Sequence, residues 1–191
     1  MNYSLRNLLT IGVLAEVGIF LLAYVMQPTI EETFRFAARY SGRLSAFVFL
    51  YTFYQYAISF PKAVKDNLSL RKWVTTFAVL HLIHWGFLAT NVYLNNIPLE
   101  AVKIAGGALA YAMVVAAPLF LHKVKVPLQM VYLYYVSLVM ILTYVARAKG
   151  DFEGAEPSWY HFTMIAVFLG ACIYFGWDMY RKSKQGVKKA A

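Results

Sequence analysis

The sequence predicts an all-α protein, an integral membrane bundle of six helices, on two observations. Of its 191 residues, 61% are hydrophobic and only 14% are charged, whereas a soluble domain usually carries about 25% charged residues. The apolar residues also fall in six runs of roughly the length that crosses a hydrocarbon core of about 30 Å as a helix. Nothing outside these runs is long enough to fold alone, so we expect one domain.

The predicted spans follow from the apolar runs and the residues that interrupt them. The first run is longer than the apolar core of a signal peptide and lacks a small-residue cleavage site, so it predicts a retained helix. Asn95 and Asn96 end the third run, and Pro118 kinks or ends the fourth. Residues 27–43 predict a loop in which aromatic and charged residues alternate, a pattern that also fits a short interfacial helix. The six predicted spans are residues 8–26, 44–60, 72–94, 101–121, 128–145 and 159–180.

The net charge of +9 lies in short loops and the C-terminal tail, which favours a role in membrane topology over nucleic-acid binding. An even number of spans places both termini on one side, and twelve of the 18 Lys and Arg residues fall on that side. The positive-inside rule then predicts cytoplasmic termini in a multi-pass protein surrounded by the lipid bilayer. Six of the nine acidic residues are predicted on the outer side: Glu31, Glu32, Glu100, Asp151, Glu153 and Glu156.

The third apolar run, from Arg71 to Leu94, carries two histidines near its middle. His81 and His84 are three residues apart and therefore share one helical face. They lie about 15 Å and about 20 Å from the start of the run, well inside a bilayer. An ionisable residue in a membrane helix is costly and predicts a function, and neutral imidazole is a common haem ligand.

Three interpretations of these histidines stay open at this point. A b-type haem needs two axial ligands from facing helices, or one ligand and an open position, and no second histidine lies at matching depth. Five-coordinate iron or a histidine from another copy would then be needed. Alternatively, the histidines hydrogen-bond Gln55, Gln129, Glu16 or a tyrosine across the bundle. A third interpretation is a path for a proton or an ion.

Other classes of protein are excluded by what the sequence lacks. There is no glycine-rich phosphate loop and no serine in a nucleophile-elbow pattern, so neither nucleotide binding nor a serine hydrolase is predicted. The single cysteine, Cys172, allows no intrachain disulfide and no cysteine-based zinc or iron–sulfur site.

Four stretches occur in an order that resembles a known family: RYSGRLSAFVFLYTF, RKWVTTFAVLHLIHW, GGALAY and LQMVYLYYVSLVMILTYVAR. Together they resemble the ferric reductase-like transmembrane domain family, which includes haem membrane subunits of the methionine sulfoxide reductase type. The resemblance covers about residues 39–147, over half of the chain. It implies a six-helix bundle of the inner (plasma) membrane that binds haem b and passes electrons across the bilayer.

The resemblance also implies roles for individual residues. His81 matches the family histidine of the third span, and His84 matches a second histidine of some members, so both are candidate ligands of the haem iron. Where the family has a Leu-His pair at the start of the fifth span, this chain has Leu128 and Gln129. Gln129 thus stands in the cofactor-binding position of the family but is a poor haem ligand. Candidate propionate partners are the cations Arg71, Lys72 and Lys123.

The functional expectation is therefore a membrane electron-transfer subunit of an oxidoreductase, with no catalytic residue assigned in this chain. The 191 residues contain no flavin or nicotinamide domain, so the expected electron donor is a redox partner protein or a quinone. Two alternatives come from other classes. One is a haem-free bundle that acts as a partner subunit, and the other is a small proton-coupled carrier that uses Glu16 and His84.

Overall fold

The computed structural model describes residues 4–98, 101–151 and 157–190. Over these residues the chain is all-α with no strand, which confirms the predicted fold class. Of the acidic residues predicted on the outer side, Glu100, Glu153 and Glu156 lie outside the described residues. The helices are α1 (Leu5–Met26), α2 (Ile30–Ser59), α3 (Leu68–Leu94), α4 (Ala101–Phe120), α5 (Val126–Lys149) and α6 (Trp159–Ala190), with a short 3-10 turn at Val64–Asp66.

Four helical segments are long and apolar enough to cross a membrane. Large apolar side chains on them point outward rather than into a core; Val25, for example, is 82% exposed. In water such a surface would be costly, whereas a bilayer offers it an apolar solvent. The chain is therefore membrane-embedded. The four segments are Leu5–Met26, Leu68–Leu94, Val126–Lys149 and Trp159–Gln185, and a shorter apolar stretch covers Ala105–Phe120.

Helix α2 is longer than the sequence predicted, because residues 30–43 are helical and continuous with the predicted span. Local side-chain pairs explain the difference. The Thr29 hydroxyl oxygen accepts a hydrogen bond of 3.3 Å from the backbone N–H of Glu32, which satisfies one of the free donors at the helix start. Glu32 in turn pairs with Arg35 at 2.6 Å, one helical turn along. Averaged hydropathy does not detect such pairs.

The predicted C-terminal ends of α3 and α4 agree with the structure to within one residue. α3 ends at Leu94, and Asn96 has a φ of 51°, a left-handed conformation that asparagine tolerates and that stops a helix. α4 ends at Phe120, so Pro118 lies in its last turn. α5 continues to Lys149, past the predicted end at residue 145, and Gly150, whose φ is 78°, forms its left-handed cap.

The chain divides into two compact units, of which the first comprises Met1–Phe49 and Lys72–Pro118. Its core is aromatic and aliphatic. The buried rings of Phe49 and Phe77 pack with their centroids 5.0 Å apart. A cluster of three rings joins α1, α2 and α3, with centroids 5.5 to 6.2 Å apart: Phe20, Phe34 and Phe87.

The second unit comprises Leu50–Arg71 and Leu119–Ala191. The ring of Phe53, which is fully buried, meets the rings of Tyr134 and Phe175 edge-on at 5.3 and 5.1 Å. Edge-to-face contacts of this kind are a favourable arrangement of aromatic quadrupoles. They join α5 and α6 to the last turns of α2.

Candidate functional site

The two histidines of α3 lie on one face of the first unit, with their ring centroids 5.6 Å apart. His81 is held on two sides. Its Nδ1 is 2.7 Å from the hydroxyl oxygen of Ser45 on α2, and its ring stacks on that of Tyr111 on α4, with centroids 4.5 Å apart and planes 19° apart. The Phe77 ring lies one turn earlier at 5.1 Å. The orientation of the His81 imidazole is therefore fixed by α2, α3 and α4 together.

His84 is 8% exposed and lies in a notch that Gly42 makes on α2. A Cβ atom at Gly42 would lie 2.9 Å from Cε1 of His84 and 3.3 Å from its Nε2. Any side chain at position 42 would thus displace the ring. The absence of a side chain lets the imidazole approach the backbone of α2 closely.

Helices α1 and α3 run parallel and in register beside this face. A Cβ atom at Gly12 on α1 would lie 2.9 Å from Cδ2 of Leu80 on α3. Two turns further along both helices, the rings of Phe20 and Phe87 stack with centroids 5.8 Å apart and planes 3° apart. The second contact lies closer to the C-terminus than the first on both helices, so the helices are parallel over this length.

Glu16 and His84 lie between these two contacts, at the same level of the bundle. On α1, Glu16 lies four residues after Gly12 and four before Phe20. On α3, His84 lies four residues after Leu80 and three before Phe87. The Glu16 side chain is 1% exposed. The sequence had placed Glu16 near the middle of the first span, and the structure places it inside the bundle rather than toward lipid.

Glu16 on α1 and Ser41 on α2 are both buried polar residues of the first unit. Ser41 is fully buried. Among the residues that the structure describes, neither carboxyl oxygen of Glu16 nor the Ser41 Oγ has a hydrogen-bond partner. Buried polar groups are nearly always hydrogen-bonded, and an exception calls for a functional or structural explanation.

Gln129 lies in the second unit and is fully buried. Its side-chain amide bonds three backbone groups. Oε1 accepts from the N–H of Val64 at 3.3 Å, and Nε2 donates to the carbonyl oxygens of Leu121 and Val124 at 3.0 and 3.1 Å. The amide thus ties the 3-10 turn and the loop between α4 and α5 to the start of α5. All three of these hydrogen bonds of the Gln129 side chain are to backbone groups.

The three candidate propionate cations are distributed over both units. Lys72 lies in the first unit, near the start of α3, nine residues or about 14 Å along the axis from His81. Arg71 and Lys123 belong to the second unit. The Lys123 ammonium lies 5.4 Å from the ring centroid of Phe120, a cation–π contact at the end of α4.

Sequence reasoning missed the residues that position the histidines. These are Gly42 and Ser45, which are small and whose roles depend on which helix packs against them. A signal was present, because Ser41 and Ser45 are four residues apart and so share one face of α2. Two small polar residues at this spacing in a membrane helix are typical of a helix–helix contact.

In the described part of the chain, no three His, Cys, Asp or Glu side chains form a group that could hold a bare metal ion. Searches against protein-family models, curated proteins and solved structures find no match for this chain.

Proposed function

We propose that this chain is a multi-pass protein of the inner (plasma) membrane, with cytoplasmic termini, that holds a b-type haem through His81. In this proposal it is the membrane electron-transfer subunit of an oxidoreductase, and a quinone or a redox protein is its electron donor. The hydrogen bond between Ser45 Oγ and His81 Nδ1 carries the proposal. The resemblance of residues 39–147 to ferric reductase-like transmembrane domains supports it.

A hydrogen bond to one ring nitrogen, like that from Ser45, fixes the tautomer and the orientation of a histidine that binds a metal through the other nitrogen. When Nδ1–H donates to the serine oxygen, Nε2 keeps its lone pair, and the ring cannot rotate without losing the bond. The stacked Tyr111 ring restrains the same imidazole from another side. His81 would therefore hold the haem iron, and a bound haem would supply one-electron chemistry.

The proposal assigns one axial ligand from this chain. The amide of Gln129, which stands where the resemblance would place a histidine, is occupied by Val64, Leu121 and Val124. His84 occupies the Gly42 notch one turn away from His81. A haem would thus be held by one histidine of this chain, and the candidate propionate partner in the same unit as that histidine is Lys72.

Absorption spectra of the detergent-purified protein, oxidised and then reduced with dithionite, test the proposal. Expression with added haem precursor should give a Soret band and sharp reduced bands. These bands should vanish in His81→Ala and persist in His122→Ala, a histidine in the turn that follows α4. Ser45→Ala should keep the haem but shift the reduced bands or the midpoint potential, because the Nδ1 partner is lost. A flat wild-type spectrum would overturn haem binding.

A second candidate function rests on Gln129. A buried amide that only ties loops together at the expected ligand position favours a haem-free bundle that acts as a partner subunit. The same spectra decide between the two candidates. A wild-type protein that folds, resists unfolding and shows no Soret band would support the haem-free bundle.

A further inference from the structure

The second unit carries exposed cations at the end where α2 stops and α3 and α5 begin. Four exposed lysines in the two loops at this end form what we call the loop-lysine cluster: Lys62, Lys65, Lys123 and Lys125. We propose that the loop-lysine cluster binds the headgroups of anionic phospholipids in the surrounding leaflet. The binding needs neither haem nor electron transfer, so it stands or falls independently of the proposed function.

One buried side chain holds the two lysine-bearing loops together. The Gln129 amide accepts from the backbone N–H of Val64 at 3.3 Å and donates to the carbonyl oxygen of Val124 at 3.1 Å. Lys65 directly follows the first of these valines, and the second valine lies between the other loop's two lysines. Lysines that are about 60 residues apart in the sequence are therefore gathered at one end of the unit.

The charge of this end is strongly positive. Residues 60–67 and 121–125 contain the four lysines and a single acidic residue, Asp66. The neighbouring aspartate of α6, Asp178, already pairs with Arg181 at 3.3 Å and with Lys182 at 2.7 Å. The loop-lysine cluster thus keeps an excess of positive charge, which is complementary to an anionic surface.

Aromatic residues near the end of α6 indicate that this end of the unit lies at the level of the lipid headgroups. Trp177 and Tyr180 are 61% and 51% exposed, and their ring centroids lie 6.0 Å apart. Exposed Trp and Tyr concentrate at the boundary between hydrocarbon and headgroups. Lys182, two residues further on, donates to the carbonyl oxygen of Ala57 at 2.8 Å, in the last turn of α2. The loop after α2 therefore begins beside this aromatic boundary.

The lysines extend from an apolar flank, which favours lipid over a soluble acidic protein as the partner. The ammonium of Lys123 lies 5.4 Å from the ring centroid of Phe120, and this ring is 55% exposed. A long cationic side chain that covers apolar surface and ends in a charge matches the boundary between acyl chains and phosphates. A soluble partner would leave the exposed ring of Phe120 uncovered.

The energetics favour an anionic headgroup over a zwitterionic one. Each lysine close to an anionic membrane surface strengthens binding by about fivefold, whereas a phosphatidylcholine headgroup has no net charge to attract it. The Gln129 hydrogen bonds already hold both loops in place. Binding therefore does not have to order the loops, which lowers its entropic cost.

Native mass spectrometry of the full chain tests the proposal. The protein is held in neutral detergent micelles with equal amounts of dioleoylphosphatidylglycerol and dioleoylphosphatidylcholine, and the lipids that it retains are counted. We expect the wild type to retain phosphatidylglycerol preferentially, and the preference to fall as ionic strength rises. The double variant Lys65→Gln/Lys125→Gln should lower the preference by at least about fivefold.

A matched double variant separates this surface from positive charge in general. Arg6→Gln/Lys149→Gln also removes two exposed cations; Arg6 belongs to the first unit and Lys149 ends α5, far from the loops at its start. This variant should keep the wild-type preference. Thermal unfolding gives a second measurement, because a lipid that binds the folded protein raises the unfolding midpoint. Phosphatidylglycerol should stabilise the wild type and the Arg6/Lys149 variant more than the Lys65/Lys125 variant.

Three results would overturn the inference. Equal retention of the two lipids by the wild type would show that the surface does not select anionic headgroups. Equal losses in both double variants would assign the preference to net charge rather than to the loop-lysine cluster. Binding of a soluble oligoglutamate peptide, lost in Lys65→Gln/Lys125→Gln and unaccompanied by a lipid preference, would assign the surface to an acidic protein. A flat absorption spectrum, by contrast, would concern the haem proposal alone.

Discussion

The His84 imidazole packs against the backbone of α2 at Gly42, where a Cβ atom would lie 2.9 Å from the ring. Carbon atoms do not approach this closely, so a side chain at position 42 forces either the ring or the helix to move. Glycine at this point of a membrane helix thus has a packing role. Glycine is unfavourable in the interior of a helix, and the contact with His84 explains why position 42 is nevertheless a glycine.

Gly42→Ala should therefore destabilise the protein. Overpacking costs about 1–3 kcal/mol, while alanine gains about 1 kcal/mol of helix propensity over glycine, so the free energy of unfolding should fall by about 1 kcal/mol. Unfolding in mixed micelles, followed by circular dichroism, measures the change. Gly18→Ala is the matched control, because nothing lies within 4 Å of a Cβ there, and it should stabilise. Equal effects at the two positions would contradict the packing role.

A second glycine, Gly176 on α6, lies against a tyrosine. A Cβ atom there would be 2.6 Å from the hydroxyl oxygen of Tyr134, which donates to the carbonyl oxygen of Cys172 at 3.1 Å. Gly176→Ala should break this hydrogen bond and lower the free energy of unfolding by about 1 kcal/mol. Gly170→Ala on the same helix meets nothing within 4 Å and should be neutral or stabilising. A stable Gly176→Ala variant would show that the Tyr134 ring relocates at no cost.

The amide of Gln129 makes three hydrogen bonds to backbone groups and is fully buried. Gln129→Ala leaves one N–H and two carbonyl groups to find other partners, and each lost bond costs about 1 kcal/mol. We expect a loss of about 3 kcal/mol in the free energy of unfolding, measured as above. Gln185→Ala, at an exposed position of α6, should stay within about 0.5 kcal/mol of the wild type. A loss at Gln129 no larger than this would make the loop-closing role untenable.

The fold class and the ends of several helices could be predicted because bilayer thickness fixes the length of an apolar span. The break at Asn95 and Asn96 is a local property of the chain and was visible in the sequence. The N-terminal half of α2 was missed because charged residues lower its average hydropathy. Its helix depends on the Thr29 cap and the Glu32–Arg35 pair, which a composition average does not register.

The candidate site was predictable only in part, for a related reason. His81 and His84 stood out because ionisable residues are rare inside membrane helices. The spacing of Ser41 and Ser45 indicates a helix–helix contact, but the sequence does not show that Ser45 and Gly42 contact the histidines 36 and 42 residues further along the chain. The backbone bonds of Gln129 reach Val64, 65 residues earlier. Such pairings depend on tertiary packing, which a single sequence does not contain.

The acid sensitivity of the start of α2 should depend on Glu31. Hydrogen bonds from its own backbone N–H and from the Thr29 hydroxyl hold the pKa of this carboxyl below its ordinary value of 4.5. The ionised form therefore stabilises the fold above pH 4.5, and this contribution is lost as pH falls through the lowered pKa. In Glu31→Gln the loss of stability at acid pH should be shallower than in the wild type. Parallel acid-unfolding curves for the two proteins would contradict the linkage.

Lys182 on α6 stabilises the C-terminal end of α2. Its Nζ donates to the carbonyl oxygen of Ala57 at 2.8 Å and pairs with Asp178 Oδ2 at 2.7 Å. A cation near the last carbonyls of a helix satisfies free acceptors and opposes the helix dipole. The side chain is 30% exposed, so solvent screens the ion pair and its contribution is modest.

Lys182→Met keeps most of the apolar stem and removes the ammonium. We expect the free energy of unfolding to fall by about 0.5–1 kcal/mol, the usual size of a charge–helix-end interaction. The difference from the wild type should shrink when salt is raised, because salt screens the interaction. The last turn of α2 should also exchange its amide hydrogens faster, because the Ala57 carbonyl loses its partner. Lys65→Met, at an exposed position outside the six helices, is the control and should change neither quantity. Faster exchange in both variants would mean that general surface charge, rather than the Lys182 contact, protects the end of α2.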